Sequence, residues 1–293
     1  MDARAAEALF NGSVIALVAT ATTVVLDLFG FVNVAVPASF VLGSAGAFAF
    51  ASAAAPEWQW IAAGALVGLV GGVAIDRLAL DPLRRRGRDA AMLPASIGAS
   101  LVVYGLSRAA FAPGSSAMPH AVALSRMASI GHLKFTGLDA LAVIVTIISC
   151  TLLHIAVHRT RFGNGVRAAC ENPLAAQLMG MRIDRVPAAA MAATSALAST
   201  AGALYTAHAG SMNGGMPAVP LLGAFAAVAL APVGSIGITC LIAFALSLAG
   251  ALFAAQLPWL PAYSTPCALA VLVAAGLAWR RTRPPAPAAI AES

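Results

Sequence analysis

The chain has 293 residues, is 60% hydrophobic and only 10% charged, with a mean hydropathy of +0.88 and a net charge of +6. So few charges cannot cover the surface of a soluble domain of this length, which excludes that class. The basic excess is scattered among loops rather than gathered into a stripe, which excludes a nucleic-acid footprint.

What remains is a polytopic membrane protein. Lipid satisfies no backbone polar group, so its spans must be helices or a closed barrel. The apolar runs are continuous rather than alternating, which selects helices. The N-terminal MDARAAEALF lacks the basic start of a cleaved signal peptide, so the first run is expected to stay as a span. The expected spans are 11–29, 33–54, 59–79, 92–111, 137–157, 187–209, 217–231, 236–255 and 266–279. A hydrocarbon core needs about 20 helical residues, so 217–231 and 266–279 are short. The expectation is an all-α bundle of eight or nine crossings with broken or re-entrant pieces. Residues 1–283 form one domain, and 284–293 are a disordered tail.

Along the chain, Pro37-Ala38-Ser39-Phe40-Val41-Leu42-Gly43 is similar to Pro217-Ala218-Val219-Pro220-Leu221-Leu222-Gly223. Paired Pro/Gly-interrupted segments running in opposite directions point to a solute path between inverted repeats. Asn33, Pro37, Ser39, Gly43, Ser44, Asn213, Pro217 and Gly223 are the candidate path residues, with chance similarity in an Ala/Leu/Val/Gly-rich chain as the rival reading. Each polar member could instead satisfy a helix or cap a turn. Gly64 and Gly68, extended by Gly71 and Gly72, suit close packing of one helix on another.

The longest polar interruption is His158 to Arg185. Within it Asn172 can cap a helix, Pro173 suits the first helical position, Leu174 to Met179 are helix formers, and Gly180 is the expected stop. A short helix held outside the lipid offers a handle to a soluble partner; a merely solvated loop is the alternative. Topology follows from Lys and Arg. Arg77, Arg84, Arg85, Arg86, Arg88, the five arginines of 158–185 and Arg280, Arg281 and Arg283 share one side, which is then cytoplasmic. Arg4, Arg108, Arg126 and Lys134 share the other, so the N-terminus and the 112–136 loop face outward.

Several chemistries are missing. The single lysine, Lys134, precedes Phe135, so no phosphate-binding GxxxxGK[ST] loop exists. There is no HExxH or GxSxG, and the four cysteines and five histidines are scattered, with His208 near an outer span end the one worth mutating. Asp27, Asp76 and Asp139 lie near span ends, so no proton path is evident within the spans.

Phe162-Gly163-Asn164-Gly165-Val166-Arg167-Ala168-Ala169-Cys170-Glu171-Asn172-Pro173, followed by Ala175-Ala176-Gln177-Leu178-Met179-Gly180-Met181-Arg182-Ile183-Asp184-Arg185-Val186, closely resembles one cytoplasmic loop. It is that of the H-type permease subunits of branched-chain amino acid ABC transporters. Asn11-Gly12, Asp81-Pro82-Leu83-Arg84, Leu93 to Leu106, Ala224 to Val228 and Gly234-Ser235-Ile236 agree with that family in order. The resemblance implies a permease without an ATPase site of its own, resident in the bacterial inner membrane with its N-terminus periplasmic and its C-terminus cytoplasmic. It needs no cofactor, because partner subunits bind the ATP. Its partners would be two cytoplasmic ATPases, a second related permease, a periplasmic solute-binding protein, a small-molecule substrate and membrane lipid.

On this resemblance 158–186 is the coupling loop, in which Leu174, Leu178 and Met179 fill an ATPase groove. Arg167, Glu171, Asn172, Pro173 and Gly180 orient and bound the helix. The chain departs from the family where Val34-Ala35-Val36-Pro37-Ala38 replaces F-A-H-G-E and where Ala231-Pro232 replaces a glycine pair. These changes bear on the substrate, so urea or short amides stand beside branched-chain amino acids. An ion-coupled secondary transporter is the rival from another class.

Overall fold

The computed structural model describes residues 2–29, 35–51, 57–86, 91–111, 116–117, 127–130, 133–160, 163, 165, 185–212, 218–232 and 235–256. Its helices are α1 (Asp2–Phe29), α2 (Val36–Ala51), α3 (Glu57–Ile75), α4 (Asp81–Arg85), α5 (Met92–Ala110), α6 (Gly137–Arg159), α7 (Arg185–Ala209), α8 (Ala218–Leu230) and α9 (Ile236–Gln256). Each expected span from 11–29 to 236–255 falls on one of them, while 266–279 and the tail lie outside the described residues. The first helix starts earlier than expected, at Asp2, because the Ala-rich stretch before Phe10 holds no breaker.

Among the described residues, three helical stretches are long and apolar enough to cross a membrane: Ala6–Asp27, Trp58–Arg84 and Gly137–Arg159. Val36–Ala51, Pro220–Leu230 and Ile236–Leu252 are apolar but shorter. The surface is as apolar as the core. Leu66, Val70, Leu101, Val102, Leu152 and Leu241 are each more than 60% exposed, an arrangement that needs lipid as its solvent. The chain is a multi-pass helical membrane protein.

The described fold is almost entirely helical, with a few short strands outside the helices. The 112–136 region carries β1 (Ser116–Ala117), β2 (Met127–Ile130) and β3 (Leu133–Thr136), and β4 (Ser211–Met212) follows α7. β2 and β3 form an antiparallel hairpin with Ile130 opposite Leu133, and β1 pairs with β4. Two short runs separated by a Gly-containing pair are a hairpin signal. Hydropathy counting passed over it because the segment is too short to span.

The bundle is arranged around α1. The α1 window is 83% buried, against 28% for α3 and 17% for α6. α1 packs on α7, α6, α8 and α9, whereas α7 packs on α2 and α3. α1 and α7 run antiparallel, since Phe10 near the start of one stacks on His208 at the end of the other, centroids 3.8 Å apart. The two halves are related in sequence beyond the paired Pro/Gly segments. Leu17 and Leu197, Thr20 and Thr200, Gly30 and Gly210, Asn33 and Asn213, Pro37 and Pro217, Leu42 and Leu222, and Gly43 and Gly223 are all 180 residues apart. Thus each of the groups α1–α2–α3 and α7–α8–α9 lends its first helix to the other group's second and third. Neither half buries its leading helix alone.

α3 ends in a π-helical turn, Asp76–Leu80, that leads into α4. The wide turn lets Arg84, eight residues on, return to Asp76: Arg84 Nη2 donates to Asp76 Oδ1 at 2.9 Å. The partner of Asp76 is therefore Arg84 rather than its neighbour Arg77. The carboxylate is 2% exposed and the guanidinium 20%. Removing Asp76 leaves Arg84 with Asp81 3.9 Å away, so the cost falls below the roughly 3 kcal/mol of a fully uncompensated buried charge. Asp76→Ala is expected to lower the thermal unfolding midpoint of the detergent-solubilised protein by several degrees, and Asp76→Asn, which keeps an acceptor, by less.

Candidate functional site

The residues expected to line a path fall into two groups. Pro37, Ser39, Gly43 and Ser44 lie on α2, with Pro37 half-buried one residue into the helix. Ser39 and Ser44 are 2% and 3% exposed. Ser39 Oγ donates to Ser195 Oγ of α7 at 3.2 Å. Ser44 Oγ lies 3.1 Å from the Phe40 carbonyl oxygen of its own helix and 3.0 Å from the Gly202 carbonyl oxygen of α7. In this arrangement both hydroxyls tie helices together. Gly223 lies apart from this seam, on α8 and seated against Ile15 of α1. Asn33, Asn213 and Pro217 lie outside the described residues, as do Arg167, Glu171, Asn172, Pro173, Leu174, Leu178, Met179 and Gly180.

The α2–α3–α7 seam is the closest packing in the fold, and it uses the expected glycine ladder. A Cβ on Gly64 would stand 2.5 Å from the Gly43 carbonyl oxygen and 2.9 Å from Ala203 Cβ. One on Gly68 would strike Ser199, and one on Gly72 would strike Ser195. Gly202 of α7 presses on the Phe40 carbonyl, and Gly43 on the Ser199 backbone. Gly71, on another face of α3, meets Leu42. With backbones this close, Ser199 Oγ reaches the Ala65 carbonyl oxygen of α3 at 2.8 Å. Small residues four apart on α3, and at i, i+4 and i+7 on α7, are what such an approach requires. The α7 half of the ladder, Ser195, Ser199 and Gly202, is visible in the sequence, and a scan for small residues beyond glycine would have found it.

A second polar seam surrounds α1. Thr146 of α6 and the Ser13 carbonyl oxygen are 3.3 Å apart, Thr23 and Thr239 hydroxyls 3.4 Å, and Cys150 Sγ and Thr20 Oγ1 3.9 Å. Cys150 of α6 and Cys240 of α9, separate in sequence, are brought close to each other, and both are free.

At one end of the bundle Thr136 and Asp139 form a capping box for α6, with Asp139 Oδ2 accepting from the Thr136 backbone N–H at 3.0 Å. Asp139 is 3% exposed, and its Oδ1 lies 3.4 Å from His208 Nδ1. His208 therefore has a partner that its position in the sequence did not reveal. No described group of three or more His, Cys, Asp or Glu is placed to hold a metal ion.

Residues 4–276 match the family described as branched-chain amino acid transport system / permease component. The chain is 28% identical over 239 residues to the high-affinity branched-chain amino acid transport system permease protein LivH of Escherichia coli K12, covering 77% of each chain. The LivH of Salmonella typhimurium is similar to the same extent, 28% over 239 residues and 77% of each chain. A probable branched-chain amino acid transport permease protein LivH of Methanocaldococcus jannaschii is 30% identical over 144 residues, 48% of this chain and 44% of its own. Among solved structures, PsaBC from Streptococcus pneumoniae in complex with Fab gives a TM-score of 0.49 at 14% identity, covering 95% of this chain and 91% of that one.

Proposed function

The chain belongs to the branched-chain amino acid transport permease family, and from that membership we propose that it is the membrane subunit of an ATP-driven importer of branched-chain amino acids. The observation that carries this reading is the family match over 4–276, which takes in the whole 158–186 loop. In this reading the chain does no chemistry and binds no nucleotide. Eight or nine segments cross the inner membrane, with the N-terminus periplasmic and the C-terminus cytoplasmic. A periplasmic binding protein delivers solute to the 112–136 side, and a second related permease completes the pore.

The path runs where the two inverted halves meet, bounded by Asn33, Pro37, Ser39, Gly43 and Ser44 on one side and Asn213, Pro217 and Gly223 on the other. Work enters through the loop. Two cytoplasmic ATPases close on ATP, and a rigid helix at 172–180 transmits that closure to the bundle, with Leu174, Leu178 and Met179 seated in the ATPase and Arg167 and Glu171 fixing its angle. Asn172 and Pro173 begin the helix and Gly180 ends it.

The departures at Val34–Ala38 and Ala231–Pro232 favour a second substrate reading, urea or a short amide, because a histidine and an acid are lost beside the path.

Proteoliposomes holding the chain, its paired permease and both ATPases, supplied with loaded binding protein, are expected to accumulate labelled leucine only with internal or external ATP on the ATPase side. Uptake that persists without the ATPases and collapses with an ionophore would establish the ion-coupled rival instead. Competition by excess urea or acetamide decides the substrate class.

A further inference from the structure

The two halves share a sequence pattern but not a packing register. Gly43 of α2 and Gly223 of α8 are equivalent, 180 residues apart. Over Gly43 sits Ser199 of α7, close enough that its backbone occupies the place of a Cβ. The residue equivalent to Ser199 is Ala19, again 180 residues away. Yet the residue over Gly223 is Ile15, four positions earlier on α1, with its Cδ1 2.8 Å and Cγ1 3.1 Å from where a Cβ would stand. A small residue fills one glycine notch; the flexible tip of a branched one fills the other.

α9 is offset in the same direction. Ser199 reaches the Ala65 carbonyl in one half, so strict equivalence would set Ala19 against Ala245. Instead Phe244 and Ser247 crowd Gly12, and Ser247 Oγ donates to the Ala8 carbonyl at 2.7 Å.

We infer that α1 steps one helical turn along α8 during the transport cycle, so that Ala19 replaces Ile15 over Gly223 as Ser199 already sits over Gly43. This rests on the reading of the chain as an alternating-access permease. One turn is about 5.4 Å, a step that packed helices take as a unit. Two features of α1 make it the moving helix.

First, its buried hydroxyls are satisfied within it. Ser13 donates to the Leu9 carbonyl at 2.8 Å, Thr20 to Leu17 at 3.0 Å, Thr22 to Val18 at 2.9 Å and Thr23 to Ala19 at 2.9 Å. Those bonds travel with the helix. Second, three of its polar contacts to neighbours are long, at 3.3 Å to Thr146, 3.4 Å to Thr239 and 3.9 Å to Cys150. The shorter Ser247 bond to Ala8 and the Phe10 stack on His208 must be exchanged. The α2–α3–α7 seam has backbone against backbone and a 2.8 Å bond across it, so it is the stationary side.

The test uses the complete complex with its ATPases, in a background with Cys150, Cys170, Cys240 and Cys267 replaced by serine or alanine. Two pairs are compared: Ile15→Cys with Gly223→Cys, and Ala19→Cys with Gly223→Cys carrying Ile15→Ala to relieve the notch. The first pair is expected to cross-link without nucleotide. The second is expected to gain at least severalfold when the ATPases are trapped with ATP and vanadate. A second measurement leaves the core untouched: spin labels at Leu9→Cys and Leu222→Cys, both exposed, are expected to change separation by about 5 Å on trapping. A separation that does not move, with the Ala19 pair at background in both states, overturns the ratchet. ATP-driven uptake by the cysteine-free parent complex separates the two failures. With it, a missing Ala19 cross-link sinks the ratchet alone; without ATP-driven uptake in the parent complex, the permease reading fails as well.

Discussion

Replacing Gly68 by leucine is expected to leave almost no folded protein in the membrane, while Gly98→Leu leaves its level unchanged. Both glycines lie within helices of similar length, α3 and α5, and both substitutions raise helix propensity. They differ in what the new side chain meets. At Gly68 a Cβ already strikes Ser199 and comes within 2.8 Å of the Ser39 carbonyl oxygen and 3.0 Å of the Gly43 nitrogen. Two of these three obstacles are backbone, which cannot rotate aside. Accommodation requires α3 to leave both α2 and α7, which breaks the Ser199 bond to Ala65 and strips the ladder at Gly64 and Gly72 of its contacts. Overpacking of a well-filled core costs about 1–3 kcal/mol when side chains can yield. Here they cannot, so a loss of at least about 3 kcal/mol is expected, roughly a hundredfold in the folded-to-unfolded ratio. At Gly98 nothing lies within 4 Å. Fluorescence-detected size exclusion of the chain expressed alone measures both. A monodisperse Gly68→Leu peak at the parent level would mean that the three helices are not packed as described.

Glu171→Ala and Gly180→Val are expected to abolish ATP-driven uptake, by more than tenfold, without lowering the amount of permease inserted. The reasoning is mechanical. A helix that transmits force must be stiff and must end where the chain turns back to the membrane. On the proposed coupling-helix reading, Gly180 would supply a left-handed stop that a β-branched residue resists, and Val there would extend or distort the rod. Glu171, before the proposed Asn172 cap, would favour the helix N-terminus by its charge and help fix the angle against the ATPase. Neither residue belongs to an apolar span, so insertion is spared. The decisive readout is the pair of measurements together. Full uptake at normal insertion counts against coupling through this loop, whereas loss of insertion marks the residues as structural.

The sequence was legible where a physical requirement acts on consecutive residues. Continuous apolar runs gave the positions of α1, α2, α3 and α5 through α9 to within a few residues, except that α1 begins at Asp2; the short α4 was not anticipated. The glycine ladder of α3 was readable because only glycine permits backbone contact at that spacing, and Gly64, Gly68 and Gly72 all face α2 or α7. The β2–β3 hairpin was missed because a four-residue pair contributes nothing to a hydropathy window. Ser39 and Ser44 were readable as polar groups in an apolar run, but their partners on α7 were not, because those lie more than 150 residues away. The pairing of Asp139 with His208 and the meeting of Cys150 with Cys240 are of the same kind.

By itself, then, the sequence determined that this protein lives in lipid, where its helices fall, which loop carries the family motif and which glycines allow close approach. Each of these follows from the solvent or from backbone sterics acting locally along the chain. Only the tertiary structure decided that each half surrenders its first helix to the other, and that α7 locks onto α2 and α3 while α1 rests on α8 one turn out of register. Lipid is no less apolar than leucine, so hydrophobicity cannot choose among helix partners in a membrane. That choice is made by shape, by which small surface lets which backbone approach, and it exists only once helices far apart in sequence are set side by side.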